Sequence, residues 1–437
     1  MKKLFMLFLT SILLVACSST PESTGSKSEG GSEGKEKSVT EEIDEVTIWA
    51  WDPKFNIAAL EIAKGVYKEE NPDLTVNIVE NAQDDIIQKL NTALGSGTTK
   101  GLPNIVLIED YRAQGFLQSF PDAFYELTDS FNAQDFAEYK IAPTSSNGKN
   151  YGVPFDTGVT GLYVRTDYLE EAGYSVADLQ DITWKEYIEI GKKVKEVTGK
   201  TILSTDPNDL GILRVMMQSA GAWYVEEDGV TPNIVDNAAL KEAFEIYKEM
   251  IDTNILKPHS DWSQFLAGFN SGDVATVPTG NWITPSVKAE ASQSGKWAIV
   301  PIPKLTVPGA GHASNLGGSS WYVLNTPGAE QAADFLGKTF GSNKEMYQKL
   351  VSEVGAIGTY KPASETDAYA AEDPFFGGQK TIADYASWME DIPGVNYGLH
   401  TYAIEDIITV EMQNYLNGKS IDDVLSNAQK QAEAQLN

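Results

Sequence analysis

The apolar positions divide the chain into a short apolar stretch, a polar segment and a long body in which two periods alternate. In the body, Val46-Thr-Ile-Trp-Ala50, Leu74-Thr-Val-Asn-Ile-Val79 and Ile105-Val-Leu-Ile108 are β-rich runs that predict strands. Between the first two, Ile57, Leu60, Ile62, Ala63, Val66 and Tyr67 recur at helical spacing and stop at Asn71-Pro72. Between the second and third, Ile86, Ile87, Leu90 and Leu94 form one stripe after an acidic first turn, and Gly95-Ser-Gly97 ends it. Strand, helix, strand, helix, strand in so short a span predicts a parallel α/β sheet.

The pattern resumes further on. Residues 184–197 read as a helix with Thr183 as N-cap and Glu186 in the capping-box position. Residues 210–220 and 238–251 are further helices, and Val274-Ala-Thr-Val277, Trp297-Ala-Ile-Val300 and Trp321-Tyr-Val-Leu324 further strands. The remainder is mostly helical. No repeat of 20–50 residues is visible, which excludes solenoids. This is more α/β structure than one lobe holds, so two α/β lobes are expected.

Ahead of the body, Lys2 and Lys3 precede the uncharged residues 4–16. That stretch is too short to cross ~30 Å of hydrocarbon but suits a signal-peptide core. It ends Leu14-Val15-Ala16-Cys17, on the sole cysteine of the 437 residues. The run resembles the bacterial lipobox, which implies cleavage of residues 1–16 and a lipid on Cys17; the alternative is a secretory signal with an incidental cysteine. Residues 17–43, Ser, Thr, Gly, Glu and Lys for the most part, cannot bury enough apolar area to order themselves and are expected to be a tether. The location implied is the outer face of a Gram-positive cell membrane.

Charge narrows the partners. With 62 Asp+Glu against 33 Lys+Arg the net charge is −29, which disfavours nucleic acid and leaves the lipid as the only membrane contact. Arginine occurs only as Arg112, Arg165 and Arg214, so a bidentate clamp for an anionic ligand is disfavoured too. A lone cysteine makes no intrachain disulfide.

Chemistry of the usual kinds is missing. Gly199-Lys-Thr201 and Gly337-Lys-Thr339 look like phosphate-loop tails, but Val194 and Ala332 stand where the earlier glycine belongs. His259, His312 and His400 are scattered and have no cysteine partners, so neither a metal nor a cofactor is expected. No Gly-x-Ser-x-Gly elbow occurs. A pair of carboxylates for glycoside hydrolysis is available in principle, though nothing singles one out. What does stand out is aromatic rings beside acids at element ends. Trp51-Asp52 follows the first strand, Glu109-Asp110-Tyr111-Arg112 the third, and Tyr151 to Thr157 is a polar turn containing Asp156. Gly221-Ala-Trp223 closes a helix and Gly280-Asn281-Trp282 closes a strand. A flat ring stacks on the C–H face of a pyranose while a carboxylate accepts from its hydroxyls, so these pairings point to a sugar.

With these motifs the sequence resembles the substrate-binding lipoproteins of bacterial ABC sugar importers, the maltose-binding-protein-like family. Its features are the opening Val46-Thr-Ile-Trp49-Ala-Trp51-Asp52, Pro103-Asn104-Ile-Val106, Gly148-Lys-Asn150-Tyr-Gly-Val-Pro154, Phe269-Asn-Ser-Gly272-Asp-Val-Ala275 through Trp282, and Gly317-Gly318. The opening Trp-Ala-Trp-Asp is similar to that of members taking lactose-like or other oligosaccharides. The resemblance implies a type II binding-protein fold, with residues 44–156 and 318–366 as the first lobe and 157–317 and 367–437 as the second. Hinges would lie at 156–160 and near Gly317-Gly318. It implies ligand contacts from Trp51, Asp52, Asp110 and Asp156 on the first lobe and Trp223 and Trp282 on the second. Tyr397 and His400 would stand in place of the family's late tryptophan, and Gly318 would let backbone approach the ligand. The function implied is capture of a neutral sugar or oligosaccharide by a monomer that delivers it to ABC permease subunits, without catalysis. A secreted glycoside hydrolase, a binder of a non-sugar solute and a surface adhesin are the competing readings.

Overall fold

The computed structural model describes residues 41–355 and 357–436; Cys17 and the residues around it lie outside the described residues. The strands that frame the site are β1 (Glu45–Ala50), β2 (Thr75–Glu80), β3 (Ile105–Glu109), β4 (Gly152–Pro154), β5 (Thr160–Arg165), β6 (Leu203–Thr205), β7 (Leu256–Pro258), β8 (Thr276–Gly280), β9 (Trp297–Val300) and β10 (Ser319–Val323).

The first lobe is built on a five-stranded sheet of order β2-β1-β3-β10-β4. Its strands alternate as a sheet covered on both faces must. Val46, Ile48, Ala50, Ile105 and Leu107 pack beneath helix Asn56–Glu70, whereas Val106 and Ile108 meet Ile86 and Leu90 of helix Gln83–Gly95 on the other face. β1 runs parallel to β2 and β3, as the sequence predicts, but β10 is antiparallel to both β3 and β4, so the sheet is mixed. The expected polar turn at 151–157 contains β4, and all three of its residues are buried.

A three-stranded sheet, β8-β5-β9, carries the second lobe and is antiparallel throughout. The strand expected at 274–277 begins and ends later, because pairing runs from Thr276↔Val164 to Gly280↔Thr160. Pro278 is tolerated there because β8 is an edge strand and can spare one donor. Helix Trp184–Thr198 starts as its sequence predicts. Thr183 Oγ1 accepts from the Glu186 amide at 3.2 Å, Glu186 Oε2 accepts from the Thr183 amide at 2.7 Å, and Gly199 closes the helix at φ +73°. The helix brings Trp184 and Tyr187 into a core shared with helices Gly211–Ser219, Ala238–Asp252, Thr401–Leu416 and Ile421–Leu436.

The chain passes from β4 to β5 through residues 155–159 and from β9 to β10 through 301–318. These two crossings are bonded to each other. The Leu316 amide donates to the Gly158 carbonyl at 2.8 Å, the Gly158 amide to Asn315 Oδ1 at 2.9 Å, and the Thr160 amide to the Ser314 carbonyl at 2.9 Å. Among the described residues no helix is long and apolar enough to cross a membrane.

Candidate functional site

Sheet direction decides what meets what. Because β1, β3 and β4 run the same way and β10 the opposite way, one sheet edge collects the residues after β1, β3 and β4 and those before β10. That edge carries Trp51-Asp52, Glu109-Asp110-Tyr111, Asp156 and Gly317-Gly318. Opposite it stand the loop after β6, the residues after β7 and the end of β8. The cleft between has a volume of about 1010 Å³, at the upper end of the roughly 300–1,000 Å³ usual for small-molecule sites, so it has room for more than one sugar-sized ring.

Five of the sequence-predicted residues line this cleft: Trp51, Asp52, Asp156, Trp282 and Gly318. Asp52 has φ +56°, and its Oδ1 accepts from the Lys54 and Phe55 amides at 3.0 and 3.2 Å, so its carboxylate is exposed but fixed at the start of helix Asn56–Glu70. Asp156 Oδ1 accepts from the Ser319 amide at 2.6 Å. Burial raises its pKa to about 6; Lys140 opposes that shift and the nearby Asp110 adds to it. Trp282 donates its indole N–H to the Leu316 carbonyl at 2.8 Å, which ties the ring to the second crossing segment. Gly318 sits at φ +93°, and a Cβ there would lie 3.0 Å from Asp110 Oδ2 and 3.2 Å from Lys140 Nζ.

The other four stand elsewhere. Asp110 lies beneath the cleft wall, 1% exposed, paired with the fully buried Lys140 and accepting from Ser320 Oγ at 2.9 Å. Lys140 also donates to the Ser319 carbonyl at 3.1 Å, so the pair holds the start of β10 against β3. Trp223 is 2% exposed, because Tyr111 stacks on it at 5.5 Å, Tyr397 covers it at 4.8 Å and Thr401 Oγ1 takes its N–H at 3.1 Å. Tyr397 is buried with it, its hydroxyl accepting from Gln218 at 3.1 Å. His400 is half-buried ahead of helix Thr401–Leu416 and does not face the cleft. These residues are packing around the site rather than its wall.

The structure also brings to the cleft residues that the sequence reading did not assign to ligand contact. At one end of the cleft, Tyr402 Oη donates to Glu109 Oε2 at 2.7 Å, and the Arg112 guanidinium lies over the Tyr402 ring at 4.3 Å. Arg214 meets Glu405 at 3.0 Å and Asp209 at 3.3 Å and lies over Tyr111 at 5.2 Å. Burial raises the Glu109 pKa and lifts that of Glu405 to about 7, against the pull of Arg214 on both. His259, Trp262 and Phe265 line the cleft as well. Periodicity could not have found Arg214, which reads as an ordinary helix residue, or Trp262, which falls between the runs that periodicity picks out.

Two α/β lobes with bonded crossings and a wide aromatic and acidic cleft define a type II binding-protein fold, the architecture of a receptor that encloses its ligand. The comparisons agree. Residues 66–377 match the bacterial extracellular solute-binding protein family, and the chain belongs to it. It is 47% identical to the lactose-binding protein of Rhizobium radiobacter, over 90% of this chain and 93% of that one. It is 26% identical to the arabinooligosaccharide-binding protein of Bacillus subtilis, over 81% and 80%. The fold superposes on the GacH receptor of Streptomyces glaucescens with a TM-score of 0.73 at 21% identity, covering 90% of this chain and 98% of that one. For the galacto-N-biose-/lacto-N-biose I-binding protein of Bifidobacterium longum the TM-score is 0.71 at 20% identity, covering 90% and 96%. These relatives are binding proteins, and this chain is a binding protein and not an enzyme.

Proposed function

We propose that the protein captures a neutral disaccharide or short oligosaccharide between its lobes and presents it to the permease of an ABC importer. The observation that carries this is the wall chemistry. Trp51 and Trp282 offer flat faces, Asp52 and Asp156 offer fixed acceptors for hydroxyls, and Arg214 in the cleft lining is already engaged by Glu405 and Asp209. The 47% identical relative is named for lactose, which makes lactose the first ligand to try. Residues 44–156 and 318–366 form the first lobe in this reading and 157–317 and 367–436 the second, swinging about the bonded crossings. A sugar that touches both walls favours the closed form by its differential affinity for it, and the closed face is what a permease would recognise.

Lactose should raise the thermal midpoint of the tether-free body, since a ligand that binds only the folded state stabilises it. Small-angle scattering of the same titration should show compaction. Trp282→Ala should lose about 1–3 kcal/mol of affinity, as a desolvated aromatic anchor does. Trp223→Ala should instead lower the midpoint without ligand, because it empties a filled core position. Absence of any sugar-dependent shift across a panel of disaccharides would refute the assignment.

Anchoring by a lipid on Cys17 is part of the same proposal, supported by the Leu-Val-Ala-Cys run. Cys17→Ser should leave an unprocessed precursor that takes up no labelled fatty acid. Normal maturation and labelling of that variant would count against it.

A further inference from the structure

Resting on the sugar-receptor reading, we infer that Trp262 is an outer stacking platform that contacts the second ring of a bound saccharide and so selects for ligands of at least two rings. Single exposed apolar residues are common on protein surfaces and carry no message by themselves. Trp262 differs in three ways.

At 53% exposure it is the one aromatic side chain among the exposed large apolar residues described, and it lies on the wall of the cleft. It also continues a row of rings. Its centroid is 5.8 Å from that of Trp282, with 38° between the planes, and 5.4 Å from Phe265, which in turn lies 5.1 Å from His259. Finally, its position is fixed. Trp262 opens helix Trp262–Asn270, whose N-cap Asp261 accepts from the Gln264 amide at 2.9 Å while Gln264 Nε2 donates to Asp261 and Ser260 at 2.8 and 2.9 Å. The cap fixes the backbone and the contacts with Trp282 and Phe265 hold the ring, which therefore loses little freedom when a ligand covers it.

The row has an inner and an outer member. Trp282 is half-buried and anchored to the hinge through Leu316, whereas Trp262 stands beyond it towards solvent. Two platforms offset by one ring suit two pyranoses joined through a single oxygen. Polar partners for the outer sugar are on the same wall: Asp261, and His259, whose Nδ1 is within 2.5 Å of Ser204 Oγ. A monosaccharide on Trp282 would leave Trp262 uncovered.

The test is calorimetric titration of wild type, Trp262→Ala, Trp262→Phe and Trp282→Ala with lactose, galactose and glucose. Trp262→Ala should bind lactose about tenfold more weakly, the scale of one aromatic platform, and the monosaccharides within twofold of wild type. Trp262→Phe should recover most of the loss, and the melting temperature of both should match wild type, since the ring is not core. Unchanged lactose affinity in Trp262→Ala overturns the inference while leaving the receptor reading intact, and a concurrent loss of cellular uptake would reassign Trp262 to the permease contact. Equal losses for lactose and the monosaccharides also overturn it, by placing Trp262 on the first ring. If wild type binds none of the three sugars and no disaccharide of the panel, the inference falls together with the reading beneath it.

Discussion

Lys140→Met should lower the free energy of unfolding by about 3–5 kcal/mol at neutral pH, the cost of leaving one member of a buried ion pair alone. Lys140 and Asp110 are 0% and 1% exposed, and the pair joins the end of β3 to the start of β10 directly beneath Gly318. Burial already raises the Asp110 pKa, and Lys140 is the main group opposing that shift. In the variant only the hydrogen bond from Ser320 still opposes the rise, so the folded state binds a proton that the unfolded state releases. Stability relative to wild type should therefore be worst at neutral and alkaline pH and should recover as pH falls towards the carboxylate range. Urea titrations across pH check this. Replacing both partners, with Asp110→Leu added, should restore much of the loss; a double variant as unstable as the single one would show that the deficit is not that of an unpaired charge.

The second large effect is expected at the crossing of the lobes. A Cβ on Gly158 would lie 1.9 Å from the Leu316 carbonyl oxygen and 2.5 Å from its carbon, both backbone atoms with no freedom to rotate away. Gly158→Ala must therefore push the two crossing segments apart and break the Leu316–Gly158 and Gly158–Asn315 hydrogen bonds. A loss of about 3 kcal/mol or more is expected, beyond the ordinary cost of overpacking. If the variant still folds, lactose affinity should fall as well, since Trp282 is bonded to the displaced carbonyl. Chemical denaturation and titration of the same sample separate the two. Gly95→Ala, with open space around its Cβ, is the control expected to do neither.

Much of the fold is legible in the sequence because its signals are local. The capping box at Thr183 and Glu186, the glycine stops and the first three strand runs depend on near neighbours, and they lie where periodicity predicts them. Strand direction is different. Trp321-Tyr-Val-Leu324 is as apolar as Ile105-Val-Leu-Ile108, and nothing within it says that β10 runs against β3. The same limit applies to the site. Trp223 and Trp282 each stand two residues after a glycine at an element's end, yet Tyr111 and Tyr397, distant in sequence, cover one and leave the other on the cleft. Asp110 and Asp156 both follow strands, and the first is turned inward onto Lys140 and Ser320, both distant in sequence. Trp262 was hidden because it falls between the periodic runs, and only the fold shows that it opens a capped helix on the cleft wall.

The hydrogen bond from Trp282 to Leu316 also bears on how such a receptor can change over generations. If Trp282 is the inner platform proposed above, a substitution there would alter the binding surface and the support of the second crossing together, so a gain in one property would carry a change in the other. Trp262 is held differently: its ring rests on Trp282 and Phe265, and the start of its helix is capped by Asp261 and Gln264. On the reading proposed above, the 259–265 segment is therefore where a preference for sugar length or linkage would shift with the least effect on the bonded crossings.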